Sequence, residues 1–400
     1  MKRKLFLIIA THSSEKIILP TLDKLKQEYD IVGVFGPNIE KKLNKQSVIN
    51  GALLSNIDIM SILFKLHRYI HIVNYIIKCI ISEKPDIVIT VDQFTIMNII
   101  VKKSKKQHIK KKLNNPIYMQ YIAPTVWLWG RDRAKKLQKN FNALASIFNM
   151  DTPYFQSSNN FKFEFIGHPI YEDIEGFKKQ LPSISLDIDF NEKYLLLMPG
   201  SRKHEIKYML KFMLQIIKQC HDKDVIKDYK IYIPVAQEYK DYINKIIHKS
   251  KVKAYAVSTT DPNVYYHLLN NANFVLSKAG TNNLEVGLFN IPIVVLYRTS
   301  IISELILKYI LRYSINTYIS LINIILNKKV IDEYYGYFGN SKGVIIKPCN
   351  ISDIVDNIKK CTTHNKCYNY DINTKLVPQV YNGNLPSRNL YNFIKELLEK

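Results

Sequence analysis

Short apolar runs of strand length recur along the chain, each separated from the next by a segment of helical periodicity. This alternation restricts the fold more than any other feature, because it is the pattern of βα units building a parallel sheet. In the first half the candidate strands are residues 5–10, 31–35, 86–91, 117–122, 143–148 and 163–166, and the longest helical segment between them spans about 58–82. A looser stretch, 172–191, carries Gly176, Pro182 and several acidic residues, and after it the alternation restarts at 194–198, 230–234, 254–257, 273–277 and 293–297. The intervening segment 205–220 lines up Ile206, Met209, Leu210, Met213, Ile216 and Ile217 on one face, as a helix packed on a sheet does. With 400 residues, 47% of them hydrophobic, the chain can fill two cores, since single cores stop growing at roughly 250–300 residues. The expectation is therefore two doubly wound, Rossmann-like α/β domains. They should cover residues 1–170 and 192–370, with a linker at 171–191 and a tail with a last helix at 371–400. Sequence does not reveal which domain that helix packs on.

The first apolar run is only six residues long, and the polar Thr11-His12-Ser13-Ser14 follows it without a small-x-small cleavage pattern. A secretion-signal core needs roughly 7–15 apolar residues, so the run reads as the first strand of a cytoplasmic protein. The five cysteines are scattered and form no C-x-x-C pair for zinc or redox work. The most apolar stretches, 69–81 and 301–326, are broken by His71, Asn74 and Lys78 and by Glu304, Lys308 and Arg312. Neither offers the roughly 18 apolar residues of a membrane span. A formal charge of +23 points to an anionic partner, whether nucleic acid, an acidic membrane surface or a phosphorylated substrate, or in part to a solvated surface in which lysine has replaced arginine. Only eight of the 57 basic residues are arginine, which singles those eight out, because lysine cannot reproduce a planar bidentate fork.

In open α/β sheets ligands bind beyond the carboxyl ends of the strands. The run Pro199-Gly200-Ser201-Arg202 leads from a buried strand straight into a helix, a geometry that offers backbone N–H groups and the positive helix end to an anion. Arg202 adds a donor suited to phosphate, although an ordinary turn capped by Ser201 fits the same residues equally well. A second such turn is Ala279-Gly280-Thr281-Asn282, with Glu285 one turn on, where a carboxylate can accept both hydroxyls of a ribose. Two phosphate-style turns in one domain favour a nucleotide, yet neither has P-loop or G-x-G-x-x-G spacing, which argues against an ATPase or an NAD enzyme.

In the first domain Asp92 ends an apolar strand, where a carboxylate is costly unless paired or functional. It can act as a general base or simply cap the next helix. Both tryptophans, Trp127 and Trp129, stand beside Arg131, Arg133, Lys135 and Lys136, a mixture that suits a membrane interface, a phosphorylated lipid or stacking on nucleic acid. His67 and His71 lie four apart on a helix but lack the H-E-x-x-H glutamate and a third ligand, so no metal site is expected.

Taken in order, these segments resemble the lipid-A-disaccharide synthase family over about residues 33–332. The matching elements are Gly36-Pro37, PDIVITVD, APTVWLW, FIGHP, PGSRKHEI, PVA, AGTNNLE, PIVVLYR and YISLINII. The resemblance implies a GT-B architecture, two Rossmann-like domains facing across a cleft. It also implies an inverting, metal-independent transfer from UDP-2,3-diacylglucosamine to 2,3-diacylglucosamine 1-phosphate, giving a β-1,6 disaccharide and UDP without a cofactor. On this likeness Gly200, Ser201 and Arg202 sit near the pyrophosphate, and Gly280, Thr281 and Glu285 near phosphate and ribose. Arg298 and Asn323 line the same site, Arg202 assists departure of UDP, and Asp92 is the base for the acceptor 6-hydroxyl. The acyl chains imply peripheral contact with an anionic inner-membrane surface, through Trp127, Trp129, Arg131 and Arg133 and through the apolar-basic stretch 62–68. Nucleic acid is not an expected partner, and homo-oligomerisation is left open. The sequence departs from the family after the first strand, where Ala10 to Lys16 stand for A-G-E-x-S-G-D with only Ala10 and Ser14 shared, and at Ala279 and Asn283, which stand for Ser and Thr. A diverged inactive relative that binds UDP-sugar or lipid is the alternative; a basic nucleic-acid-binding protein ranks below it, since no RRM, KH, zinc-finger or helix-turn-helix signature is present.

Overall fold

A computed structural model describes residues 2–55, 59–129, 132–184, 188–298, 318–336, 347–348, 350–363 and 372–399. The chain divides into two compact units, one comprising Met1–Glu172 and Pro378–Lys400, the other Asp173–Val377.

The first unit is built on a parallel sheet of β1 (Arg3–Ile9), β2 (Tyr29–Phe35), β3 (Ile49–Asn50), β4 (Ile87–Val91), β5 (Ile117–Tyr121), β6 (Ala143–Ser146) and β7 (Lys162–Phe165), in the order β3-β2-β1-β4-β5-β6-β7. The chain winds outward one way from β1 and then the other way from β4, so the topological switch lies between these two strands. Alternation along β1 shows why both faces must be covered. Leu5, Leu7 and Ile9 enter one core cluster and Phe6 and Ile8 the other, all 1% exposed or less. A strand buried on both faces reads as a continuous apolar run, and that is why these strands stand out in the sequence.

The second unit repeats the arrangement with β8 (Tyr194–Met198), β9 (Lys230–Val235), β10 (Tyr255–Ser258), β11 (Phe274–Lys278), β12 (Ile293–Arg298), β13 (Asp332–Gly336) and β14 (Lys347–Pro348), ordered β10-β9-β8-β11-β12-β13-β14. Its switch lies between β8 and β11. Helix Lys203–Asp222 buries Ile206, Met209, Leu210, Met213, Ile216 and Ile217, the face its periodicity predicted.

One feature differs from expectation, and one that the sequence leaves open is settled. Residues 171–180, expected within a loose linker, belong to the helix Pro169–Gln180. Gly176 lowers helix propensity by only about 1 kcal/mol, which does not break the helix, and Pro182 falls beyond the helix end. The last helix, Pro386–Glu399, packs on the first sheet, placing Leu390, Phe393, Ile394, Leu397 and Leu398 in its core. The seat for the returning chain is the Phe165–Pro169 stretch. His168 N–H donates to the Val380 carbonyl at 2.7 Å, and Asn389 Nδ2 to the Ile166 carbonyl at 3.0 Å. The His168 ring is buried, and burial lowers its pKa to about 4, so it stays neutral while Nδ1 accepts from the Ile170 N–H at 3.1 Å.

Candidate active site

At the switch of the first unit the chain leaves β4 through Asp92 and Gln93, both left-handed at φ 57° and 42°, and leaves β5 through Ile122 at φ 77°. Two neighbouring strand ends here carry three non-glycine residues in a region that L-residues avoid, most of all a β-branched isoleucine. Such conformations persist where the surroundings fix them, and they cluster at functional sites. The fixing group is Gln120, fully buried in β5, whose Nε2 donates to the carbonyls of Asp92 (3.0 Å) and Ile122 (3.2 Å). Its Oε1 accepts from Thr90 Oγ1 at 2.6 Å. Asp92 does not cap the following helix; that position falls to Gln93, without a side-chain bond. Its Oδ2 instead accepts from the hydroxyl of the fully buried Ser14 at 3.3 Å.

Ser14 is the residue that the divergent Thr11–Lys16 segment shares with the family pattern, and the structure places it in the first turn of a helix. Thr11 is the N-cap of helix His12–Glu28, with Oγ1 accepting from the Ser14 N–H at 3.2 Å, and its hydroxyl lies 2.6 Å from that of Ser14. Glu15, 2% exposed, accepts from the Gly36 N–H at 2.5 Å and from Asn38 Nδ2 at 3.0 Å. The segment therefore ties β1, the start of the Gly36-Pro37 turn and Asp92 together without a glycine.

Residues following β4, β5 and β6 wall one pocket of about 270 Å³, whose lining includes Asp92, Gln93, Ile122, Trp127, Arg133 and Asp151. Three of the residues expected on the acceptor side, Asp92, Trp127 and Arg133, thus converge. Arg131 and the side chain of Trp129 lie outside the described residues, as do the side chains of 62–66 and Arg68. Asp151 was missed. It lies five residues beyond the end of β6 at Ser146, inside the 3-10 helix Asn149–Tyr154, so no strand-end position marks it in the sequence. Asp151 is 2% exposed and accepts from Ser146 Oγ at 2.6 Å, and burial pushes its carboxyl up to about 7.

In the second unit both glycine turns flank the switch. Gly200 sits at φ 111°, and a β-carbon there would lie 2.6 Å from Glu205 Oε2 and 3.1 Å from the Lys278 side chain. Those neighbours form a small charged group: Glu205 Oε1 is 3.2 Å from Lys278 Nζ and 3.7 Å from Arg202, which is well exposed. Lys278, at the end of β11, is a residue that sequence reasoning did not single out. The N-cap of helix Lys203–Asp222 is Arg202, not Ser201, and it makes no side-chain capping bond.

The other turn is held from within. Asn283, fully buried, donates to Ser277 Oγ (2.9 Å) and the Lys278 carbonyl (3.1 Å) and accepts the Gly280 N–H (3.1 Å), so that N–H is committed inside the turn. Thr281 is exposed and makes no side-chain capping bond. Glu285 accepts from the Tyr265 hydroxyl at 2.6 Å; burial and this carboxylate hold the phenol well above its ordinary range.

Asn323 has a different occupation from the one expected. It is fully buried, with Oδ1 accepting from the Val330 and Ile331 N–H groups at 2.8 and 3.0 Å and Nδ2 donating to the Ile331 carbonyl at 2.9 Å. Its amide also bonds Glu333, whose carboxylate accepts the Ser320 N–H at 2.7 Å. With its amide so engaged, Asn323 staples this segment and has little left for a ligand. The side chain of Arg298 lies outside the described residues. Among the described residues, no group of three or more His, Cys, Asp or Glu is placed to hold a metal, and no helix is long and apolar enough to cross a membrane.

A family model described as lipid-A-disaccharide synthetase matches residues 5–373. The lipid-A-disaccharide synthase of Rickettsia bellii (strain OSU 85-389) is 28% identical over 321 residues, covering 78% of this chain and 78% of that one. That of Sulfurihydrogenibium sp. (strain YO3AOP1) is 25% identical over 417 residues, covering 100% and 99%. Among solved structures, the UDP-N-acetylglucosamine 2-epimerase from Rickettsia bellii superposes with a TM-score of 0.58 at 12% identity, covering 100% of this chain and 98% of that one. The UDP-GlcNAc 2-epimerase from Neisseria meningitidis does so with a TM-score of 0.60 at 12% identity, covering 99% and 100%. At such identities the likeness is one of fold.

Proposed function

The chain belongs to the lipid-A-disaccharide synthetase family, and from that premise we propose how its residues divide the work of making the lipid A disaccharide. As a glycosyltransferase it joins UDP-2,3-diacylglucosamine to 2,3-diacylglucosamine 1-phosphate and releases UDP. The observation that carries our division of labour is the contrast between the two switch points. The pocket beside the first holds two carboxyls, Asp92 and Asp151, with one cation, Arg133, while the second gathers two cations, Arg202 and Lys278, around Glu205 beside a glycine turn.

In this reading Asp92 takes the proton of the acceptor 6-hydroxyl as that oxygen attacks C1 of the donor sugar. The bond from C1 to the UDP oxygen breaks on the opposite side, UDP leaves with the electron pair, and the configuration at C1 inverts. The leaving group needs positive charge already in place. Ser201 and the helix behind it supply N–H dipoles, Arg202 a bidentate donor and Lys278 a second cation, so the transfer proceeds without a metal. Gly200 lets the pyrophosphate approach the backbone, with Gly280, Thr281 and Glu285 as the second wall toward the ribose. The acyl chains place the reaction at a lipid surface, with Trp127, Trp129, Arg131 and Arg133 as the contacting residues and the +23 charge favouring anionic lipid.

UDP binding tests the donor half. A ligand that binds only the folded state raises stability by RT ln(1 + [L]/Kd), about 2.7 kcal/mol at one hundred times Kd. Saturating UDP is expected to raise the melting temperature of the wild-type chain, with at least a tenfold weaker Kd in Arg202→Ala, and chelator is expected to leave turnover unchanged. No shift with UDP would refute the donor assignment.

A further inference from the structure

We infer that Asp151 is a second acceptor-side residue, which holds the bound acceptor sugar by a hydrogen bond to one of its hydroxyl or amide groups while Asp92 takes the reacting proton. The inference rests on the reading that this pocket receives the acceptor. Its lining comes from the loops after β4, β5 and β6, the edge of an α/β sheet where ligands bind. Two carboxyls lie in that lining, and the backbone around one of them is held left-handed at Asp92, Gln93 and Ile122. Asp151 enters from the turn after β6, nearly fully buried, with its Oδ2 fixed by the Ser146 hydroxyl.

A buried, unpaired carboxylate is costly, and a core position of this kind is ordinarily apolar. Here the carboxyl is retained at the wall of a cavity, where a substrate can use it. The charged groups sharing the lining are Asp92 and Arg133, and the neutral His168 ring lies 5.3 Å from that of Phe148, which also lines the pocket. An acceptor carrying a phosphate is attracted by Arg133 and repelled by carboxylates. A protonated Asp151 removes one of the two negative charges and becomes a hydrogen-bond donor, the division of roles seen where two carboxyls share a site. Burial supplies the means, since it keeps the carboxyl protonated up to about pH 7.

The test is steady-state kinetics with both substrates varied between pH 6 and 8 for the wild type, Asp151→Asn, Asp151→Ala and Asp92→Asn. The wild-type KM for the acceptor is expected to rise above about pH 7 as Asp151 ionises, opposite to the tightening that ionisation of the acceptor phosphate would give. Asparagine keeps the size and the neutral hydrogen bond, so Asp151→Asn should bind acceptor within a few-fold of wild type at pH 7 and lose the rise. Asp151→Ala should raise the acceptor KM about tenfold, as loss of one buried hydrogen bond does, with the donor KM unchanged. An acceptor KM in Asp151→Ala equal to wild type, or identical pH profiles for wild type and Asp151→Asn, would overturn the inference. The second comparison decides alone if the alanine variant does not fold. Full activity in Asp92→Asn would instead remove the acceptor-pocket reading, separately from anything Asp151 does.

Discussion

Asp92, Gln93 and Ile122 keep backbone conformations that cost of order 1–3 kcal/mol each, and one amide, Gln120, bonds the carbonyls of the first and last. Replacing Gln120 with methionine keeps the volume and removes those bonds. We expect it to lower stability by about 1–3 kcal/mol in urea denaturation and kcat by more than the acceptor KM changes, since it frees the proposed base and not the binding groups. A variant with unchanged kcat would show that the strain serves only folding. Two buried titratable groups set the pH dependence of stability. His168, held at about 4 against an ordinary 6.5, leaves the unfolded chain binding the extra proton between those values, so stability falls as pH drops from about 6.5 to 4. Asp151, held near 7 against 3.8, makes the folded chain bind the extra proton, so stability falls as pH rises from about 4 to 7. Asp151→Asn removes the second loss and should be more stable than wild type at pH 8, by about 2–4 kcal/mol. Equal melting curves at pH 8 would count against this. Asp92 and Arg202 were legible because strand-end and helix-start positions leave marks in sequence. Gln120 was not, since a glutamine in an apolar run names no partner; its meaning comes from the carbonyls that the turns bring to it.

The turns between strand and helix decide where these side chains go. Gly200 illustrates it: φ 111° and the closeness of Glu205 and Lys278 leave no room for a β-carbon. Gly200→Ala should displace Glu205, disturb its pairing with Lys278 and weaken UDP binding at least tenfold, measured by calorimetry; unchanged affinity would show that the turn does not shape the nucleotide site. The centre of each sheet was legible, because strands buried on both faces must be apolar throughout. β13 was not, since it opens with Asp332 and Glu333 and its second residue is a buried carboxylate clamped by the Ser320 segment. The helix Pro169–Gln180 was hidden by Gly176, a residue that lowers helix propensity without forbidding a helix. Where the last helix packs could not be read from its own apolar face, because the returning chain is held by Ile166 and His168 backbone groups far away in the sequence.

The whole chain is two windings of one topology, each with its polar groups at its own switch point, and the chemistry asks something different of each. The likeness over residues 5–373 fixes the family, and the Thr11–Lys16 segment is one place where the chain departs from the family pattern. That segment nevertheless delivers the retained Ser14 to Asp92 and the substituted Glu15 to the Gly36 turn, so it still organises the proposed base. The decisive measurement gives the purified wild-type and Asp92→Asn chains UDP-2,3-diacylglucosamine and 2,3-diacylglucosamine 1-phosphate, and follows both products. We predict equal amounts of UDP and a β-1,6-linked disaccharide 1-phosphate from the wild type, and a rate at least a hundredfold lower from the variant, as loss of a general base brings. Wild-type chain that binds UDP but forms no disaccharide, or a variant that turns over at the wild-type rate, would contradict it.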